Sequence, residues 1–143
     1  MAAPVAAQQL TAAAPDYSTA RIAPGSWSYQ PMPGGSAARF MDATGTARFA
    51  LECSRMTRRV TISRSAAAAA PGLFIWTTDA SRSLGVRFDP VAMRVMVELA
   101  ARDPLLDAIA FSRGRIAVVM SGGEALVMPA WPEAARTIED CRI

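Results

Sequence analysis

Apolar and polar residues alternate along much of the chain from Trp27 onward. "SWSY" (Ser26 to Tyr29) reads as a short strand. "ARFM" and "ARFALEC" flank the turn-rich link "DATGT" and form a plausible hairpin. In the second arm Phe49, Leu51 and Cys53 share one face, and Arg48, Ala50 and Glu52 share the other, the signature of a half-buried strand. "RRVTISR" repeats the pattern, with Val60 and Ile62 inward and Thr61 and Ser63 outward. "LFIWTT" is apolar on both faces and suits a central strand. "SLGVRF" and "MRVMVELA" add two more strands, the second with Met93, Val95, Val97 and Leu99 on a common face.

The period then changes. In "DPLLDAIAFSRG" Asp103 is an N-cap, Pro104 takes the first helical position, Leu105, Leu106, Ile109 and Ala110 form a stripe, and Gly114 marks the stop. "RIAVVM" and "ALVMP" are joined by "SGGE", where Gly122 and Gly123 suit a two-residue turn. "WPEAARTIEDC" is a closing helix with Pro132 at its first position. Eight or nine strands and two short helices predict a mainly β chain, a β-rich α+β fold. An antiparallel β-sandwich, or a curled sheet with the helices at one end, satisfies this order.

At 143 residues the chain suits one domain, residues 25–143, preceded by an Ala- and Pro-rich tail over residues 1–24. That tail is expected to contribute little to the fold, and it is an arm available for self-association as a homo-oligomer. Its opening, "MAAPVAAQQL", resembles a mature start after removal of a signal peptide, which places the protein in the periplasm or outside the cell. No run approaches the ~18 apolar residues of a transmembrane helix, so no transmembrane segment is expected.

Composition excludes more chemistry than it suggests. The chain has no His and no Lys, so all 15 of its basic residues are Arg. The usual general base, the Schiff-base lysine and histidine-based metal sites are therefore missing, and two cysteines fall short of a four-thiolate zinc site. The reading is a protein that is not an enzyme, with no catalytic residue, no metal site and no cofactor. The net charge of +3 is modest and the arginines are interleaved with acids, which argues against nucleic acid as a partner. Only Arg55, Arg58 and Arg59 cluster, beside the turn after Cys53; their functional reading is contact with an acidic partner or lipid headgroup. Trp131, ahead of the last helix, is the best exposed aromatic anchor. Asp103, Asp107, Glu139 and Asp140 read as caps and solvated helix faces rather than as a carboxylate pair.

The two cysteines are expected to pair. Cys53 shares the apolar face of Phe49 and Leu51, while Ala134, Ile138 and Cys141 recur at steps of four and three, so both thiols face one core. Two buried free thiols are the alternative, favoured if the protein is cytoplasmic.

The closing order of "DPLLDAIAFSRG", "RIAVVMSGGEALVMP" and "WPEAARTIEDC", with "SWSY" near the start, resembles small periplasmic domains of the invasion-associated locus B type from alphaproteobacteria. The final Cys departs from that pattern. The resemblance implies an exported β-sandwich with an envelope role, and it transfers no catalytic residue. Three functions are carried forward: an exported domain that binds another protein or an envelope component, a small-molecule or lipid carrier with an apolar cavity between its sheets, and a carboxylate-pair enzyme.

Overall fold

A computed structural model describes residues 15–143. Among these residues, ten strands form two antiparallel sheets, and two short helices pack beside them. The strands are β1 (Gly25–Met32), β2 (Gly35–Asp42), β3 (Ala47–Ser54), β4 (Arg59–Ser65), β5 (Gly72–Trp76), β6 (Ser81–Gly85), β7 (Arg87–Asp89), β8 (Arg94–Ala100), β9 (Arg115–Met120) and β10 (Ala125–Pro129). Helix α1 spans Pro104–Ala110 and α2 spans Pro132–Asp140. The larger sheet has the order β1-β2-β3-β4-β8-β7 and the smaller one β10-β9-β5-β6. This is the expected mainly β architecture with two helices.

The alternation in the sequence becomes the core. Phe40, Phe49, Leu51, Val60, Ile62, Leu73, Ile75, Ile116 and Met128 are all fully buried, as are Leu106 of α1 and Ile138 of α2. Trp27 stands edge-on to Phe40 and Phe49, with centroids 5.8 and 6.1 Å apart. Its indole N–H donates to the Pro129 carbonyl at 2.7 Å, so the ring is buried without an orphan donor. Asp103 caps α1 as expected, its carboxylate accepting from the Leu105 N–H at 2.8 Å.

Several local expectations change. "SLGVRF" is not one strand. It breaks after Gly85, so that β6 belongs to the smaller sheet and β7 to the larger. The link in "SGGE" spans four residues, with only Gly122 at positive φ (76°) and the Gly123 N–H bonded to the Met120 carbonyl, a glycine at the third position of a type II turn. Ser63 faces outward yet is buried, because the Arg94 side chain lies over it and its Nε donates to Ser63 Oγ at 2.9 Å. Met93 does not share the buried face of Val95 and Leu99. It sits in the β7–β8 turn with φ 55° and is 44% exposed.

Among the described residues, packing extends ahead of residue 25, as far as Tyr17. Tyr17, Ala20 and Ile22 lie over the outer face of the smaller sheet, against Trp76, Phe74 and Val127. Tyr17 stands edge-on to Trp76 at 5.8 Å, the Ala23 N–H donates to the Val127 carbonyl, and Arg115 Nε donates to the Ala20 carbonyl. This cover explains why "LFIWTT" is apolar on both faces. Residues 1–14, and with them the expected arm for self-association, lie outside the described residues.

Candidate functional site

The strand register sets two ends on the larger sheet. At one end, the β1–β2 turn (Pro33–Gly34) and the β3–β4 turn (Arg55–Arg58) lie side by side. The Arg55 N–H donates to the Gly34 carbonyl at 2.9 Å and joins them. Gly35 makes this closeness possible: a Cβ there would fall 1.8 Å from the Cys53 carbonyl oxygen, so no other residue fits unmoved. The turn after β8 completes this end, with the Ala101 N–H donating to the Arg58 carbonyl at 3.0 Å.

Cys53 and Cys141 are joined in a disulfide at the base of this end, across 88 positions of sequence. Both are buried. The bond fastens the C-cap of α2 to the end of strand β3, one residue before Ser54. The residues next to Cys141 reinforce the link. Arg142 pairs with Asp107 at 2.6 Å and donates through Nε to the Ala101 carbonyl at 2.7 Å.

Asp140, read from sequence as part of a solvated face, is the centre of a polar cluster beneath α2. Its Oδ2 accepts from the Tyr29 hydroxyl and, at 2.7 Å, from Ser36 Oγ. Ser36 and Thr137 are fully buried beside it. Burial pushes the Asp140 carboxyl up, but the hydrogen bonds from Tyr29 and Ser36, with the Arg55 and Arg136 charges, outweigh it and hold the group below the usual carboxylate range. The Arg136 guanidinium stacks 3.9 Å above the Tyr29 ring. The cluster is a strut, since its hydroxyls and carboxylate satisfy one another.

The four binding candidates divide between two places. Arg55 and Arg58 stand exposed on the β3–β4 turn, and Arg59 is exposed at the start of β4. Arg59 has a loose partner, Glu98 at 3.9 Å; Arg58 has no carboxylate within salt-bridge distance among the described residues. Trp131 is 43% exposed at the start of α2, at the opposite end of a nine-residue helix, roughly 14 Å long, from the Cys141 tether. The arginines and Trp131 therefore do not form one patch. What joins the arginines instead is Met56, 93% exposed between them, and Met32 on the neighbouring turn, 38% exposed. An open depression of about 350 Å³ lies between the two turns, lined by Met32, Pro33, Met56, Glu52 and Thr61. Sequence reasoning overlooked Met56, although an apolar residue inside "SRMTRR" has no inward face to occupy in so short a turn.

Arg64 was also overlooked. It continues the inward parity of Val60 and Ile62 and is only 4% exposed. Its Nη1 donates to the Val118 and Glu124 carbonyls at 2.5 and 3.1 Å, and burial together with the nearby Arg48 charge lowers its pKa to about 10. It ties the larger sheet to the β9–β10 hairpin.

The acids are engaged one by one. Asp103 binds Arg82 as well as capping α1, and Asp107 binds Arg142. Among the described residues no group of three or more Asp, Glu or Cys side chains is placed to hold a metal ion. No described helix is long and apolar enough to cross a membrane. Comparison with protein-family models, with curated proteins and with solved structures finds no match for this chain.

Proposed function

We propose that the protein is an exported, non-enzymatic binding domain that engages a cell-envelope component through the braced end of its larger sheet. The observation that carries this reading is the pair of turns at that end. An almost fully exposed Met56 stands among three exposed arginines, on a base held by a disulfide, a fitted glycine and the Asp140 strut. Met56 with Met32 and Pro33 forms a small apolar patch edged by arginines, which suits contact, and a rigid base lowers the ordering cost of binding. The disulfide favours export, because such bonds persist in oxidising compartments. The resemblance to invasion-associated locus B type domains points the same way.

The carrier reading has less support. The space between the sheets is filled by Phe40, Phe49, Leu51, Ile62, Leu73, Ile75 and Met128, all fully buried. The carboxylate-pair reading likewise has less support, since Asp103, Asp107 and Asp140 are each engaged by other side chains.

The test is co-sedimentation of the purified, oxidised protein with the native envelope fraction. The unaltered protein is expected to sediment with it, and the combined Arg55→Gln, Arg58→Gln, Arg59→Gln variant to remain in solution. Equal sedimentation of both, or of neither, contradicts the reading.

A further inference from the structure

We propose that the component met by this end is an anionic phospholipid surface, with Met56 and Met32 entering the headgroup boundary and Arg55, Arg58 and Arg59 pairing with lipid phosphates. The inference rests on the reading above and deepens it. Three features of the end carry it.

The first is shape. The two turns project as tips of adjacent hairpins, and each standard protein partner needs roughly 800 Å² of matched surface on each side. Two turns of two and four residues make a narrow tip rather than a broad matched face. A soft, laterally continuous surface accepts a small convex tip without a matching pocket.

The second is the order of groups. Ser54 to Arg59 contains three cations, no acid and one apolar side chain at 93% exposure. Cations around a protruding apolar group match a boundary where phosphates border acyl chains. Of the acids near this end, Glu52, which lines the depression, pairs with Arg39 at 3.2 Å, Glu98 pairs loosely with Arg59 at 3.9 Å, and Asp140 is engaged by Tyr29 and Ser36. Arg102, on the adjoining turn, adds a further exposed cation.

The third is backbone conformation. Arg58 has φ 54°, in the left-handed region where Gly or Asn is the ordinary occupant. Arg58 thus combines a left-handed backbone with a guanidinium that makes no ion pair among the described residues and is free to meet an outside anion. The opposite end of the same sheet provides a contrast. There Met93 has the same backbone conformation, φ 55°, and Val91 is equally exposed, at 93%, but the turn is closed by an acid, Asp89, whose carboxylate accepts from the Val91 and Ala92 N–H groups.

The experiment is flotation with vesicles of phosphatidylcholine, alone or mixed with phosphatidylglycerol, at two salt concentrations. The unaltered protein is expected on the phosphatidylglycerol vesicles only, and less at high salt. Arg58→Gly is expected to weaken binding about fivefold, and removal of all three arginine charges about a hundredfold. Arg58→Gly relieves the strained backbone, so a thermal midpoint at or above that of the unaltered protein separates lost binding from lost folding. Met56→Ser should weaken binding severalfold, and Val91→Ser should not change it. Equal binding to both vesicle types, undiminished binding by Arg58→Gly, or indifference to Met56→Ser overturns the inference; the last result would indicate attraction to phosphate charge without insertion. Arginine-dependent sedimentation with native envelopes but none with phosphatidylglycerol vesicles overturns the lipid assignment while leaving the binding reading intact. Loss of both refutes the two together.

Discussion

At the scale of single residues, the side chains that matter most are those whose surroundings oppose their usual preferences. Asp140 is the clearest case. Its carboxylate is held charged by the Tyr29 and Ser36 hydroxyls, so its pKa is lower in the folded chain than in the unfolded one. A group shifted in this direction contributes stability that is complete above its unfolded pKa, about 3.9, and is lost as pH falls through the folded value. Denaturant unfolding is therefore expected to show constant stability from neutral pH to about pH 5 and a fall below it. Asp140→Asn should lower stability at pH 7 by about 1–3 kcal/mol and flatten part of the acid fall. An Asn variant with an unchanged acid profile would remove Asp140 from this role. The sequence shows Asp140 only as the neighbour of Glu139 near a helix end. Tyr29 and Ser36 lie more than 100 positions away, and no local pattern announces that meeting. Arg64 was more legible, since the parity of Val60 and Ile62 already points it inward. Its charge argued for the surface, and its use of backbone carbonyls as acceptors is invisible in the sequence.

At the scale of elements, period-two and helical patterns carried most of the architecture because each strand keeps one face on the core and each helix has a Pro at its first position. The misses came where the chain leaves a regular pattern. Gly85 lets "SLGVRF" pass from one sheet to the other. "MPGG" makes a tight hairpin whose second arm had been read only from Ala38. The segment from Tyr17 to Ala23 looked like tail because it is short and Ala-rich, yet the two-faced strand β5 needs a cover. Tyr17→Ala should lower the thermal midpoint by several degrees, through the lost Trp76 contact of about 1–2 kcal/mol. A midpoint within one degree of the original would show that the segment rests on the sheet without supporting it. Helix α2 depends on its tether. Nine residues are too few to hold by propensity alone, and the bond across 88 positions is expected to stabilise by roughly 4–5 kcal/mol on the loop-closure estimate. Reduction of the intact protein, or a Cys53→Ala, Cys141→Ala variant, should lower the urea midpoint by a corresponding amount. Equal midpoints for oxidised and reduced protein would contradict the tether. The pairing itself was legible because both cysteines fall on apolar faces, one at strand and one at helix spacing.

At the scale of the whole molecule, the two ends of the larger sheet differ in kind. One is braced by the disulfide, Arg142 and the Asp140 cluster, and it carries Met56 among arginines. The other carries Val91 in a turn closed by an aspartate. The arginine cluster was visible in the sequence, but its neighbours were not: only the hairpin register brings Met32 beside Met56, and only the length of α2 separates Trp131 from both. The most direct measurement of the central claim is photo-crosslinking in the native envelope from a diazirine-bearing residue placed at position 56, at 91 or at 131. The account predicts abundant adducts from position 56, adducts from 131 at background, and none above background from 91. Adducts from 91 matching or exceeding those from 56 would contradict it.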